Sequence, residues 1–324
     1  MADSTKEIIS VVTLDKRQTG WSSVIMEREA FIQTVEKLHA EVKLVEFCTD
    51  AHVQIGALMN PERGKLKDSG IKHSLDMWHD TKNIAKKIAT LKGNNILLTW
   101  LKDIVNHFWW CCKKAVTAEQ FLALWVGIIH HICGSHTWAV GSCHQEYLED
   151  YRHKENIQEN SQAHKALLNI ILNKRWLKDV HKYLAFRSTA DLEAFQSHIL
   201  MYASKRYAFS PPVYNARVLL AALDYNFHPN RKHMQSKDGK KIFKRLYKAN
   251  ARRWSVYAVK TPKTYSYIRD IQAEIVAKRL SSGVGMPERR PQRPDDPRRL
   301  GPIPLIPPPP TQELAEKQLR RGGG

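Results

Sequence analysis

Residues 42–59 read V-K-L-V-E-F-C-T-D-A-H-V-Q-I-G-A-L-M, and residues 71–82 read I-K-H-S-L-D-M-W-H-D-T-K. The apolar run from Val42 to Cys48 predicts a strand suited to burial, and Ala51 to Met59 predicts a helix after Thr49-Asp50. A polar loop over Gly64 to Gly70 then leads into a second short strand from Ile71 to Met77. Strand, helix and strand in that order indicate an α/β fold. Upstream, Glu7 to Leu14 (E-I-I-S-V-V-T-L) is rich in β-branched residues and reads as a strand, with Trp21 to Met26 as a further one. Glu27 to Ala40 places Phe31, Val35 and Leu38 at helical spacing.

From His79 onward the apolar stripes have helical period: Ile84 to Leu91, Ile96 to Trp110, Ala118 to Cys133, Ala163 to Leu184, Ala190 to Tyr202 and Val213 to Leu223. Between Arg231 and Lys263 twelve Lys or Arg face a single acid, Asp238, with Phe243, Tyr247, Trp254 and Tyr257 interleaved. A last helix is expected from Thr264 to Leu280. Ten of the fifteen prolines lie between Pro287 and Pro310, which predicts a disordered or polyproline-like tail outside the core. Its P-L-I-P-P-P-P at 304–310 is either a ligand for SH3 or WW domains or a solvated extension.

The chain has 324 residues, enough to bury a substantial core, and a formal net charge of +19. Such an excess favours polyanions, because Lys and Arg neutralise phosphates and release counterions when nucleic acid binds. The sequence offers no apolar run of membrane-spanning length and no basic region leading into a signal core, so a membrane partner is not expected. Five cysteines, an odd number without the spacing of a secreted framework, suit reduced thiols. The basic clusters direct the expectation to the nucleus, with the cytoplasm as the alternative.

Several strings, in this order, resemble animal cut-and-paste transposases of the Kolobok group. They are F-C-T-D-A-H-V-Q-I at 47–55, H-S-L-D-M-W-H-D-T-K-N-I-A-K-K at 73–87, N-H-F-W-W-C-C at 106–112, D-L-E-A-F-Q-S-H-I-L-M-Y-A-S-K-R at 191–206 and N-A-R-V-L-L-A-A-L-D at 215–224. The resemblance runs from about Thr5 to Tyr267. It implies an α/β ribonuclease-H-like core, interrupted by a mostly helical insertion and lacking its first strand. The implied divisions are 1–90 for the first part of the core, 91–185 for the insertion, and 186–230 for the closing helices. The basic segment with the last helix takes 231–282, and the proline-rich tail 283–324.

By the same resemblance, Asp50 and Glu193 are the second and third acids of an Asp-Asp-Glu set and would ligate magnesium. Asp76 and His79 match an aspartate-x-x-histidine motif in a supporting role. The first acid belongs to a strand that would precede Glu7; Asp15 is the nearest substitute and matches no catalytic string. Phosphodiester cleavage in this fold uses two divalent ions held by converging carboxylates, so loss of one acid predicts severe loss of activity. The expected function is a transposase-derived, DNA-binding protein without cleavage. The alternatives are an active nuclease whose acidic set is completed by Asp15 or a partner chain, and a non-catalytic interaction protein. A homo-oligomer is compatible with either.

Each reading has a plainer counterpart. Asp50 also suits a helix cap, and Glu193 a favourable charge in a first helical turn. Cys111, Cys112, His136 and Cys143 could hold a structural zinc within a segment that also contains His130, His131, Cys133 and His144; equally, Cys111 and Cys112 are core thiols beside Trp109 and Trp110. Most of the tryptophans from Trp78 to Trp138 are expected in the core. For DNA contact the expected cations are Lys240, Lys241, Lys244, Arg245, Lys248, Arg252 and Arg253.

Overall fold

A computed structural model describes residues 1–91, 93–139, 141–143, 154–249, 252–283, 292, 294, 296–301, 306–307 and 309–322. Helix and strand are mixed, with 53% helix and only 10% strand, so the strands form short two-stranded ladders. The chain divides into two compact units: residues 35–193, and residues 1–34 with 194–324. The helical region and the parallel strands lie together in the first of these units.

Within residues 35–193, strand β1 (Glu46–Thr49), helix α2 (Val53–Leu58) and strand β2 (Lys72–Leu75) follow the end of helix α1 (Ser23–Glu41). β1 and β2 are parallel, with Glu46 opposite Lys72 and Thr49 opposite Leu75. That is the geometry of a strand–helix–strand crossover. β2 buries His73, Ser74 and Leu75, whereas β1 is only half-buried, less than its apolar sequence predicts.

The core of this unit is helical: α3 (Met77–Ala89), α4 (Asn95–Lys114), α5 (Ala118–Trp125), α6 (Gly127–His131), α7 (Gln162–Ile171) and the short α8 (Lys174–Leu177). On α4, Leu97, Trp100, Ile104, Phe108 and Cys111 recur at three- and four-residue steps and form one buried stripe. Phe108, Phe121, Trp125, Trp176 and Tyr183 build an aromatic cluster with centroid separations of 5.6–6.3 Å. The buried Trp138 Nε1 has no acceptor among the described residues, whereas three other indole N–H groups find one: Trp100 on the Glu155 carbonyl, Trp125 on the Ile171 carbonyl and Trp176 on Asp80 Oδ2. These tryptophans belong to the core, as their helical setting predicts. The single helix expected from Ala118 to Cys133 is interrupted at Val126, where Gly127 begins α6. A Cβ on Gly127 would meet the Trp138 ring at 2.9 Å, so glycine lets that ring approach. A minimal antiparallel hairpin follows, β3 (Thr137–Trp138) and β4 (Gly141–Ser142).

The other unit departs more from expectation. Glu7 to Leu14 forms no strand; Ile8 is held instead by one side chain, with its N–H donating to Asn226 Oδ1 at 2.7 Å and Asn226 Nδ2 donating back to its carbonyl at 2.9 Å. Trp21 to Met26 is not a strand either. A capped 3-10 turn at Lys16–Thr19 ends in Gly20 and Trp21, both with left-handed backbone, and α1 begins at Ser23. Helices α9 (Ala190–Tyr202) and α10 (Pro211–Phe227) agree with the apolar stripes, and α11 (Tyr267–Ser282) falls where the last helix was expected over Thr264 to Leu280. Asp224 on α10 is buried and draws Lys263 Nζ to 2.6 Å, with His198 Nε2 and His228 Nδ1 each at 2.9 Å; these partners hold its carboxyl below the usual range despite burial. Much of the P-L-I-P-P-P-P string lies outside the described residues. Where an irregular tail was expected, Thr311–Gly322 forms helix α12, and its residues 311–318 are exposed.

Candidate carboxylate site and basic hairpin

The C-terminal ends of β1 and β2 are adjacent, and each is followed at once by an aspartate. The Asp76 N–H donates to the Thr49 carbonyl at 3.0 Å, continuing the ladder and setting Asp76 beside the end of β1, where Asp50 follows. Asp76 is the N-cap of α3, accepting from Trp78 N–H at 2.7 Å through Oδ1. Its Oδ2 accepts from both the backbone N–H and the hydroxyl of Thr189, immediately before α9. A fully buried carboxylate thereby anchors the start of a helix more than a hundred residues away.

That anchor delivers Glu193, in the first turn of α9, to His79 on α3. His79 Nε2 lies 3.1 Å from Glu193 Oε1, 3.5 Å from Asp50 Oδ1 and 4.0 Å from Asp76 Oδ2. Asp50 and Glu193, 143 residues apart, thus meet at one imidazole nitrogen. The Asp50 and Glu193 side chains are 51% and 40% exposed, so both are open to a solvent-borne ion, whereas Asp76 is engaged on both oxygens. Asp50 does not cap α2; His52 does, its Nδ1 accepting from Ile55 N–H, which leaves the Asp50 carboxylate without a capping duty. Cys48, one turn of strand away, has its thiol pushed up to about 12 by burial and by the charges of Asp76, Glu46 and Asp50. It is a poor nucleophile at neutral pH.

Asp15 serves elsewhere. Its carboxylate pairs with Arg17 through both oxygens at 2.9 Å and caps the 3-10 turn, and the Arg17 bonds hold it below its ordinary range.

The basic stretch forms an antiparallel hairpin of β5 (Phe243–Lys248) and β6 (Arg253–Ala258), a conformation its charge pattern did not indicate. Lys240, Lys241, Lys244, Arg245, Lys248, Arg252 and Arg253 are all exposed, and none lies within ion-pair distance of a carboxylate among the described residues. Strand alternation sorts the side chains into two sets. Phe243, Arg245, Tyr247, Trp254 and Val256 share one face, with the Tyr247 and Trp254 rings 5.5 Å apart; Lys244, Lys248, Arg253 and Tyr257 share the other. Trp254 is 69% exposed.

The zinc set read from the sequence is corrected. Cys111 and Cys112 lie on the buried side of α4, inside the apolar cluster, where burial pushes both thiols up. His136 and Cys143 come together instead with His131, whose place in the group was not singled out. His144 lies outside the described residues. Compared with protein-family models, with curated proteins and with solved structures, the chain matches none.

Proposed function

We propose that this chain is a transposase-derived, DNA-binding protein of the nucleus, related to enzymes of magnesium-dependent strand cleavage and transfer, with cleavage lost or severely reduced. The observation that carries the reading is the meeting of Asp50 and Glu193 on His79 at the C-terminal ends of parallel strands. The resemblance to Kolobok transposases, with their ribonuclease-H-like core, implies that pairing for those two acids out of thirty-two Asp and Glu in the chain. A strand–helix–strand unit with parallel pairing, followed by packed helices, is what part of such a core with its insertion would contain.

The donor chemistry fits a hard divalent ion. Asp50, Asp76 and His79 place donor atoms within 4.8 Å of one another, and a movement of the exposed Glu193 side chain toward Asp50 would let the two carboxylates hold magnesium, which when bound polarises phosphate oxygens and activates an attacking oxygen. His79 orients the two carboxylates by sharing its Nε2 between them, and Asp76 fixes the helix that carries Glu193. With Asp76 tied to Trp78 and Thr189 and Asp15 tied to Arg17, two available acids supply less charge than a two-ion site uses, which supports weak or absent cleavage.

DNA binding rests on the hairpin. A two-stranded ribbon fits the major groove, unpaired cations meet phosphates, and exposed aromatic rings stack on bases where strands separate. No helix of the described residues is long and apolar enough to cross a membrane. The test is titration of fluorescent duplex DNA at several salt concentrations, alongside plasmid nicking with magnesium. Salt-steep binding with no nicking is the expected result. Absence of DNA affinity would overturn the reading, and magnesium-dependent nicking abolished by Asp50→Asn would replace it with an active nuclease.

A further inference from the structure

The β3–β4 hairpin poses a physical problem: two residues per strand cannot hold themselves together, since even longer isolated hairpins are marginal in water. What fixes it is concentrated at its open end. The Cys143 N–H donates to the His136 carbonyl at 2.8 Å, extending the ladder by one pair and setting His136 opposite Cys143. The turn before it, where Gly134 takes a φ of +80°, brings the hairpin back against the end of α6, and that end is His131.

Nδ1 of His131 lies 3.4 Å from Cys143 Sγ, and the His131 and His136 rings stand edge to face with centroids 5.2 Å apart. One donor atom from each of the three lies within 4.8 Å of the other two. Around a tetrahedral zinc, bonds of roughly 2.0–2.3 Å place neighbouring ligand atoms about 3.3–3.6 Å apart. The group is therefore at or near ligand spacing, and closing it fully requires only small side-chain movement.

We propose that His131, His136 and Cys143 bind a zinc ion that clamps the β3–β4 hairpin to α6. The donors are two imidazoles and one thiol with no carboxylate among them, a set that selects zinc over magnesium or calcium. They come from three successive pieces of chain, a helix end and the two sides of a hairpin, so one ion replaces the core that this hairpin lacks. The scaffold around them is fitted: Trp138 stacks on His130 at 5.2 Å and 12°, Gly127 leaves room for that ring, and the Trp100 ring meets His131 edge-on at 5.9 Å. His131 and Cys143 line a cavity of about 330 Å³, which gives an ion and its departing waters a route. Three protein ligands leave one tetrahedral position for a further donor. This site is independent of the Asp50–Glu193 pair, and its test does not pass through DNA.

The experiment measures metal in the full chain, purified without chelator, by elemental analysis. About one zinc per chain is expected. The ratio should fall several-fold in His136→Ala and Cys143→Ser and stay unchanged in Cys111→Ala and Cys112→Ala. His136 is exposed and Cys143 half-buried, so neither substitution disturbs the helical core, which circular dichroism verifies. Cobalt substituted for zinc should show a thiolate-to-metal absorption band that Cys143→Ser removes. Zinc missing from the wild-type chain, or zinc retained in both His136→Ala and Cys143→Ser, would overturn the proposal.

Discussion

Glu193 Oε1 sits 3.1 Å from Nε2 of His79, although 114 residues separate the two. Neither makes this contact through its own flexibility: α9 is started by the bond between Thr189 and Asp76, and Asp76 also starts the helix that carries His79. A single buried carboxylate therefore sets both ends of the contact.

Asp76→Asn should be costly for that reason. An amide has one acceptor oxygen where Trp78 and Thr189 require two, so one donor is left facing an N–H₂ group. A loss of roughly 1–3 kcal/mol in urea-induced unfolding is expected, with Thr189→Val non-additive in the double variant. Additive losses would show that the two residues do not act together.

Divalent metal should be felt at His79. Titrating Mn²⁺ into the protein is expected to broaden the His79 ring resonances selectively, and Asp50→Asn combined with Glu193→Gln should suppress the effect. Unchanged broadening in the double variant would place the ion elsewhere.

The two faces of the basic hairpin should separate in DNA titrations. Replacing Lys244, Lys248 and Arg253 by Gln removes about three phosphate contacts and should lower the slope of log K against log salt by about 3. Trp254→Ala should weaken binding to single-stranded DNA by roughly 1–3 kcal/mol while leaving the slope nearly unchanged. Equal salt slopes in the wild type and the triple variant would remove the hairpin from the DNA-binding surface.

Mild acid should destabilise residues 35–193. Burial holds His73 and His107 at about 4, below the ordinary value of 6.5. Their neutral forms therefore contribute fully above pH 6.5, and stability falls as pH drops from 6.5 towards 4, because the unfolded chain takes up the proton first. His73, only 8% exposed, accounts for up to about 3 kcal/mol of this. Unfolding free energy compared at pH 7.5 and pH 5 checks it, and equal values would contradict the buried, neutral state.

The sequence made the central segment legible because its signals are local. Apolar runs, a loop and 3.6-residue stripes from Val42 to Cys112 appear as strands and helices near their expected places, whereas the expected helix from Ala163 to Leu184 is broken into α7, α8 and a 3-10 turn at Val180–Lys182. What failed depended on partners that a local reading does not see. Ile8 to Leu14 has strand-like residues, yet at Ile8 the Asn226 side chain meets both backbone groups as a neighbouring strand would, while Asn215 bonds the Thr13 hydroxyl. Cys111 and Cys112 attract attention as adjacent thiols, but their place on the stripe of Leu97, Ile104 and Phe108 decides their burial. His131 stood in the Cys- and His-rich segment but not in the four-residue set, because its link to Cys143 depends on a hairpin whose strands are too short to leave a sequence pattern. The ribbon at 243–258 was masked by charge, since neighbouring cations such as Lys244 and Arg245 fall on opposite faces and blur the period of two.

β1 and β2 pair with each other alone among the described residues, so each has no strand neighbour on its outer side. A peptide annealing in parallel along the outer flank of β1 would carry one of its own side chains to the level of Asp50. The backbone N–H and C=O groups along that flank are the part of the ladder that a further strand would extend, in register with the ends from which Asp50 and Asp76 follow.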